Sequence, residues 1–415
     1  MKFGKVGQIA LVSAIALGLA TLFTACGTLN VGFIFVATNK LTPGQIEVVQ
    51  VDSESGSLRA IPTSPFPSGG RDPIAEAVTP DFLNLYVANE DHNNIVQFGI
   101  GTDGKLYPQS TVNTPGSFPI AMAVNPSQTY LYGLDTLQPI AGCTLENLCP
   151  GDVFICPITS TAALGTPVNG TNQCLTYYPL QLSASNTTTV LTPTAINISA
   201  DGKYVYVSAY NANTTPAAGY LFAYSTNSDG SLTSLTGSAP YALQSQPAGQ
   251  SQEVPLQEPV ALTSDSGVQN LYVVDKLTNQ VATYALNSGA LSTTGTANAT
   301  VTAATGNQPA ALTLANNGAF LYVANSEDSN VTAYTVSSGS LANIGTYASD
   351  VNPIAIMTDP RQIGYLYTVN FLGNSISGFQ INPETGTLIN AKNFPYASSV
   401  QPTAISGIPH GGAIK

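Results

Sequence analysis

Two short phrases recur along the chain and leave little freedom in what it can fold into. Pro-x-Ala occurs seven times: Pro73-Ile74-Ala75, Pro119-Ile120-Ala121, Pro193-Thr194-Ala195, Pro259-Val260-Ala261, Pro309-Ala310-Ala311, Pro353-Ile354-Ala355 and Pro402-Thr403-Ala404. A tyrosine follows six of these copies, thirteen residues on in five cases (Tyr86, Tyr132, Tyr206, Tyr272, Tyr322) and fourteen in one (Tyr367). Each tyrosine sits in a short apolar run such as LYVAN or VYVSA. An alternating segment such as NIVQFGI comes next, and then Gly-x-Leu at Gly56, Gly104, Gly230, Gly289, Gly339 and Gly386, with Ala162-Ala163-Leu164 in place of the seventh.

Each unit reads as four short strands separated by Gly, Asn, Asp and Pro turns, with no helical periodicity competing. Four-strand units at this period predict an all-β, seven-bladed β-propeller of antiparallel blades, an architecture that closes on itself and leaves no long sheet edge free. The phase of the repeat predicts how the ring closes. Phe33 to Thr38 reads as a second strand without a Pro-x-Ala strand before it, and Pro402 to Ile408 as a Pro-x-Ala strand without a successor. The C-terminal strand is therefore expected to join the N-terminal blade. Proline can begin such a strand because its missing N–H costs no ladder bond there.

Of the 415 residues only 8% are charged, against about 25% in typical domains. The formal net charge is −12, and Arg59, Arg71 and Arg361 are the only arginines. A chain so poor in cations cannot neutralise a phosphate backbone, which argues against nucleic acid as a partner.

Residues 1–26 read as a targeting segment: Lys2 and Lys5 precede a long apolar run, and small residues lead into Cys26. Phe23-Thr24-Ala25-Cys26-Gly27 resembles a bacterial lipobox, which implies a lipidated Cys26; a cleaved soluble form and an uncleaved anchor are the alternatives. All three predict an exported chain, in the periplasm or at the cell surface, with a membrane partner in the anchored cases. The remaining cysteines, Cys143, Cys149, Cys156 and Cys174, agree with an oxidising compartment. Their spacing has no CxxC pair for zinc, so two disulfides are expected, with Cys143–Cys149 and Cys156–Cys174 preferred because each closes a local hairpin. The predicted layout is a signal segment (1–26), a linker (27–32), one propeller (33–410) whose third blade carries a Cys-rich insertion at about 136–191, and a tail (411–415).

The LYVAN-type strands, the Gly-x-Leu turns and the seven-fold repeat together resemble the YVTN and lactonase-type seven-bladed propellers, a group that includes 6-phosphogluconolactonase-like proteins. The resemblance runs from about Val31 to Ile408. It implies Pro-Arg-His at the start of an inner strand and Asn-Glu after the tyrosine strand in the enzymes. Here Asn89-Glu90 keeps the second motif, while Ile74 and Ala75 stand at the Arg-His positions. Loss of that motif and the scarcity of cations favour a non-catalytic binding or scaffold protein of the cell envelope, for a protein or glycan partner; the alternative is a lactone hydrolase.

The chemistry-bearing candidates are few. Glu76 occupies a slot that holds Met122, Ile196, Leu262, Leu312, Ile356 and Ile405 in the other units. A carboxylate there is expected either to meet a ligand near the axis or to find a structural partner such as Arg71. Glu90 is the second candidate for catalysis, and Asp72 and Asn89 join both as candidate ligand contacts. The Asn or Asp three residues after each tyrosine (Asn89, Asp135, Asp275, Asn325, Asn370) is expected mainly to shape turns. No metal or cofactor motif is present.

Overall fold

The computed structural model describes residues 30–410, apart from 40–42, 169–170, 175, 187, 238, 247–250, 292–295, 360 and 362–363. The protein is an all-β propeller. The described residues form seven sheets of four or more strands and one two-stranded ribbon, Thr166–Val168 with Thr171–Gln173. In the second sheet the strands run Pro73–Val78, Asn84–Asn89, Asn94–Ile100 and Leu106–Asn113, each paired with the next. Every Pro-x-Ala segment forms an innermost strand. Each of these packs against the next around the axis, and the last, Pro402–Pro409, packs against Pro73–Val78.

The first sheet draws on both ends of the chain. Asn30–Thr38 pairs antiparallel with Gln45–Asp52 on one side and with Pro402–Pro409 on the other, Phe35 standing opposite Ser406. That strand starts at Asn30, three residues before the stretch read from the sequence, because Asn30 and Gly32 still find partners in Asp52 and Val51.

The core is divided into seven apolar layers, one in each gap between neighbouring sheets. Ile34 and Val36 of the first sheet, for example, meet Tyr367 and Val369 of the seventh. Each second strand is therefore apolar on both faces, which explains continuous runs such as LYVAN where a one-sided sheet would alternate.

The repeat tyrosine and the Gly-x-Leu turn are two halves of one contact. The Tyr132 hydroxyl donates to the Gly230 carbonyl of the next sheet at 2.9 Å, and the pairs Tyr206–Gly289, Tyr322–Gly386 and Tyr367–Gly56 repeat it. The last of these crosses from the seventh sheet to the first. The glycine serves a second purpose: Gly230 has φ +79°, and a Cβ there would lie 2.4 Å from the Tyr130 ring. Between the second and third sheets the acceptor is the carbonyl of Ala162, which holds φ 61° as a non-glycine residue. The residue two before that sheet's tyrosine is Asn84 instead of an aromatic ring.

Candidate active site

The four candidates Asp72, Glu76, Asn89 and Glu90 all belong to the second sheet, and strand register decides which of them can act together. Pro73 faces Asn89 and Ala75 faces Ala88, so Ile74 is an extra residue in a bulge. The same irregularity accompanies Pro-x-Ala in the other sheets, for instance at Pro259/Ala261 and Pro309/Ala311. Asp72 precedes its proline at φ 51°, and Phe118, Gln308, Asn352 and Gln401 do the same before theirs. The left-handed conformation of Asp72 therefore belongs to the scaffold and is no sign of a strained site.

At the rim, the bulge and the turn after Asn89 bring three carboxylates and one guanidinium together. The Glu90 N–H donates to the Asp72 carbonyl at 2.9 Å, and Arg71 Nη2 lies 3.5 Å from Asp91 Oδ2. Asp72 Oδ1 is buried without a hydrogen-bond partner. Burial raises the Glu90 carboxyl above the ordinary range, and the charges of Asp72 and Asp91 push it further the same way. Burial also raises Asp72, with Asp91 adding to the shift. Glu90 thus offers a partly exposed carboxylate of raised basicity, able to take a proton from water, in a turn whose neighbouring Asp91 holds the Arg71 guanidinium.

Glu76 lies on another level. It faces Val87, three residues before the start of the Glu90 turn, hence roughly 10 Å deeper along the strand. The fold keeps Glu76 and Glu90 apart. The partner of Glu76 is Ser406 on the C-terminal strand, whose hydroxyl donates to Oε2 at 2.7 Å. Arg71, the partner considered from sequence, turns to Asp91 instead. The Glu76 side chain is half-buried, but Oε1 is sealed from solvent and unpaired. Burial pushes its carboxyl up to about 8, against weaker downward pulls from Ser406 and the Ala37 backbone. No local motif announces Ser406; only the expected strand closure could have placed it beside the second sheet.

Asn89, expected from sequence as a candidate ligand contact, does not line the open rim. It is fully buried: Oδ1 accepts from Ser68 Oγ at 2.7 Å, and Nδ2 donates to Asn94 Oδ1 at 3.0 Å. Asn325 and Asn370 are likewise consumed by their own sheets, donating to Asn330 and Ser375. Asp275 accepts from the backbone of Gln257, Glu258 and Thr278. Elsewhere, Cys143–Cys149 and Cys156–Cys174 are the disulfides formed, in the pairing preferred from their spacing. Cys26 lies outside the described residues. No described helix is long and apolar enough to cross a membrane.

A family model described as lactonase, seven-bladed β-propeller, matches residues 43–136 and 261–403, more than half of the chain. The chain belongs to this family. The unmatched stretch between the two lactonase segments contains the Cys-rich insertion and the fourth sheet. No curated protein matches the sequence. Among solved structures, a Bacteroides fragilis protein named as a candidate 6-phosphogluconolactonase superposes with a TM-score of 0.70 at 17% identity, covering 92% of this chain and 99% of that one. The periplasmic gluconolactonase of Pseudomonas aeruginosa gives 0.70 at 18% identity, covering 91% and 99%. At such identities these two structures speak for the lactonase fold alone.

Proposed function

We propose that this lactonase-family propeller is an exported hydrolase that opens an unphosphorylated sugar lactone at the rim of its second sheet. Family membership supports hydrolysis over the non-catalytic binder that the cation count favoured. The observation that carries the site is the rim turn in which Glu90, its N–H bonded to the Asp72 carbonyl, has its carboxyl raised by burial and by Asp72 and Asp91, with Arg71 held in the same turn by Asp91. In this reading Glu90, ionised, takes a proton from a water molecule as that water adds to the lactone carbonyl. Arg71 faces the oxyanion that forms. The ring C–O ester bond then breaks, and the departing oxygen receives the proton from Glu90. A phosphorylated substrate would require a cluster of cations, and the rim offers Arg71 already engaged with Asp91. The two disulfides and the N-terminal segment support export, with Cys26 as the lipid anchor and residues 33–410 as one catalytic unit.

The test is turnover of a panel of sugar lactones by the purified mature protein. Glu90→Gln is expected to lower the rate by about 10²–10⁴-fold, with its thermal unfolding unchanged. The wild-type rate should fall on acidification through the raised Glu90 pKa, because the protonated acid cannot act as base. Full activity in Glu90→Gln, or no lactone opened, would overturn the assignment.

A further inference from the structure

One position in the third sheet breaks the pattern by which four other sheets satisfy a buried polar group at the end of the second strand. At the end of the second strand, Asn89 faces Asn94, Asp275 faces Gln280, Asn325 faces Asn330 and Asn370 faces Ser375. A neutral partner stands across the strand pair in all four. In the third sheet Asp135 faces Asp152. Both are fully buried, and both project into the gap against the second sheet, where Gly116 N–H donates to Asp135 Oδ2 at 2.8 Å. The remaining three oxygens, Asp135 Oδ1 and Asp152 Oδ1 and Oδ2, have no hydrogen-bond partner. Side chains that face one another across antiparallel strands have Cβ atoms about 4.5–5.5 Å apart. Two carboxylates in such a place repel each other and forfeit hydration unless a positive charge joins them.

The surroundings indicate which positive charge fits. Among the described residues no third Asp or Glu, and no His or Cys, completes a metal cluster here, so a metal that prefers nitrogen or sulfur has no footing. The Thr114 hydroxyl lies close enough to Asp135 to favour its charged form, and it donates to the Gly116 carbonyl at 3.3 Å. Thr114 also lines a cavity of about 530 Å³ between the second and third sheets, together with Asn113, Asn172, Gln173 and Tyr177. Thr114 therefore stands between that cavity and Asp135, which is itself sealed from solvent. Unpaired carboxylate oxygens, a hydroxyl and backbone oxygens make an oxygen-only donor set, which suits a hard divalent cation of flexible coordination.

We propose that Asp135 and Asp152 form a calcium seat that ties the third sheet to the second, independently of the rim chemistry. Calcium neutralises both carboxylates at once and replaces the neutral pairing that the other sheets use.

The test uses the whole mature protein stripped with a chelator, then titrated with calcium and separately with magnesium, following thermal unfolding and heat of binding. A site with two carboxylates is expected to bind calcium with Kd of about 10⁻⁴–10⁻³ M, raising the unfolding temperature by several degrees at saturation, with a smaller rise for magnesium. Asp152→Asn, which restores the carboxylate–amide pair seen at Asp275 and Gln280, should abolish the calcium response and unfold in chelator no earlier than the wild type. Asp135→Asn provides a second variant with the same expected loss of response. A calcium response that survives both substitutions overturns the proposal. So does a wild type indifferent to calcium; a rise in its stability on acidification would then show that a proton shared by the two acids fills the place of the cation.

Discussion

Glu76 shows how one residue can depart from a repeat without becoming an open catalytic group. Its slot lies between the second sheet and the C-terminal strand, and the Ser406 hydroxyl occupies one of its oxygens. In the unfolded chain this carboxyl ionises near 4.5, and in the fold near 8. Between those values the folded state binds the extra proton, so stability falls as pH rises through the window and levels off above it. Partial exposure of the side chain moderates the full effect, leaving roughly 2–4 kcal/mol. Glu76→Gln keeps the shape and cannot ionise. Denaturant unfolding of this variant should therefore show a shallower decline between pH 5 and 8, lacking the Glu76 share, and leave it more stable than the wild type at pH 8. Parallel pH profiles for the two proteins would refute this account, and lactone turnover should survive the substitution.

At the scale of the element, the tyrosine-to-turn contact is the unit that joins sheet to sheet. It asks for a residue that tolerates positive φ, offers a free carbonyl and leaves room for a neighbouring ring. Glycine meets all three demands at Gly56, Gly230, Gly289 and Gly386. Ala162 meets only the carbonyl requirement fully, and its Cβ holds φ at 61° against its own preference. Ala162→Gly keeps the acceptor for Tyr86 and removes that strain. It should stabilise the protein by up to about 1 kcal/mol, read as a shift of the denaturation midpoint at constant slope. A destabilised variant would mean that the Ala162 methyl packs usefully enough to outweigh its backbone conformation.

For the whole molecule, the decisive contacts are those between the two ends of the chain. Pro402–Pro409 completes the first sheet, Ser406 reaches Glu76 in the second, and Thr403 Oγ1 donates to the carbonyls of Ala37 and Pro73. A chain ending at Gln401 would expose the edge of Asn30–Thr38, with Phe35 and Val36 beside it, and leave the axis open between the second and seventh sheets. Unpaired edges of this kind recruit other chains. We expect the truncated protein to elute as soluble aggregate and to unfold at a lower temperature than the full chain. A monomeric truncation that unfolds at the wild-type temperature would show that the apolar layers alone hold the ring.

The sequence by itself determined the repeat and the strand character of each unit, and it favoured one of the three pairings of the four insertion cysteines, the one the structure forms. These follow from local rules: turn residues at fixed offsets, runs of β-branched and aromatic side chains, and short loops between cysteines. The role of Ala162-Ala163-Leu164 as a substitute turn was legible for the same reason. What only the tertiary structure decided is which distant residues share a gap. Ser406 meets Glu76 across 330 positions, and Asp152 meets Asp135 across an insertion whose length hides the repeat register. Asn89 could be read as a ligand contact because its type suits one; its buried hydrogen bonds depend on Ser68 arriving from the loop after the first sheet and Asn94 from the adjacent strand. A residue's type limits the chemistry it can perform, but charge and hydration depend on everything within a few ångströms, and in a ring of sheets those neighbours come from other parts of the chain.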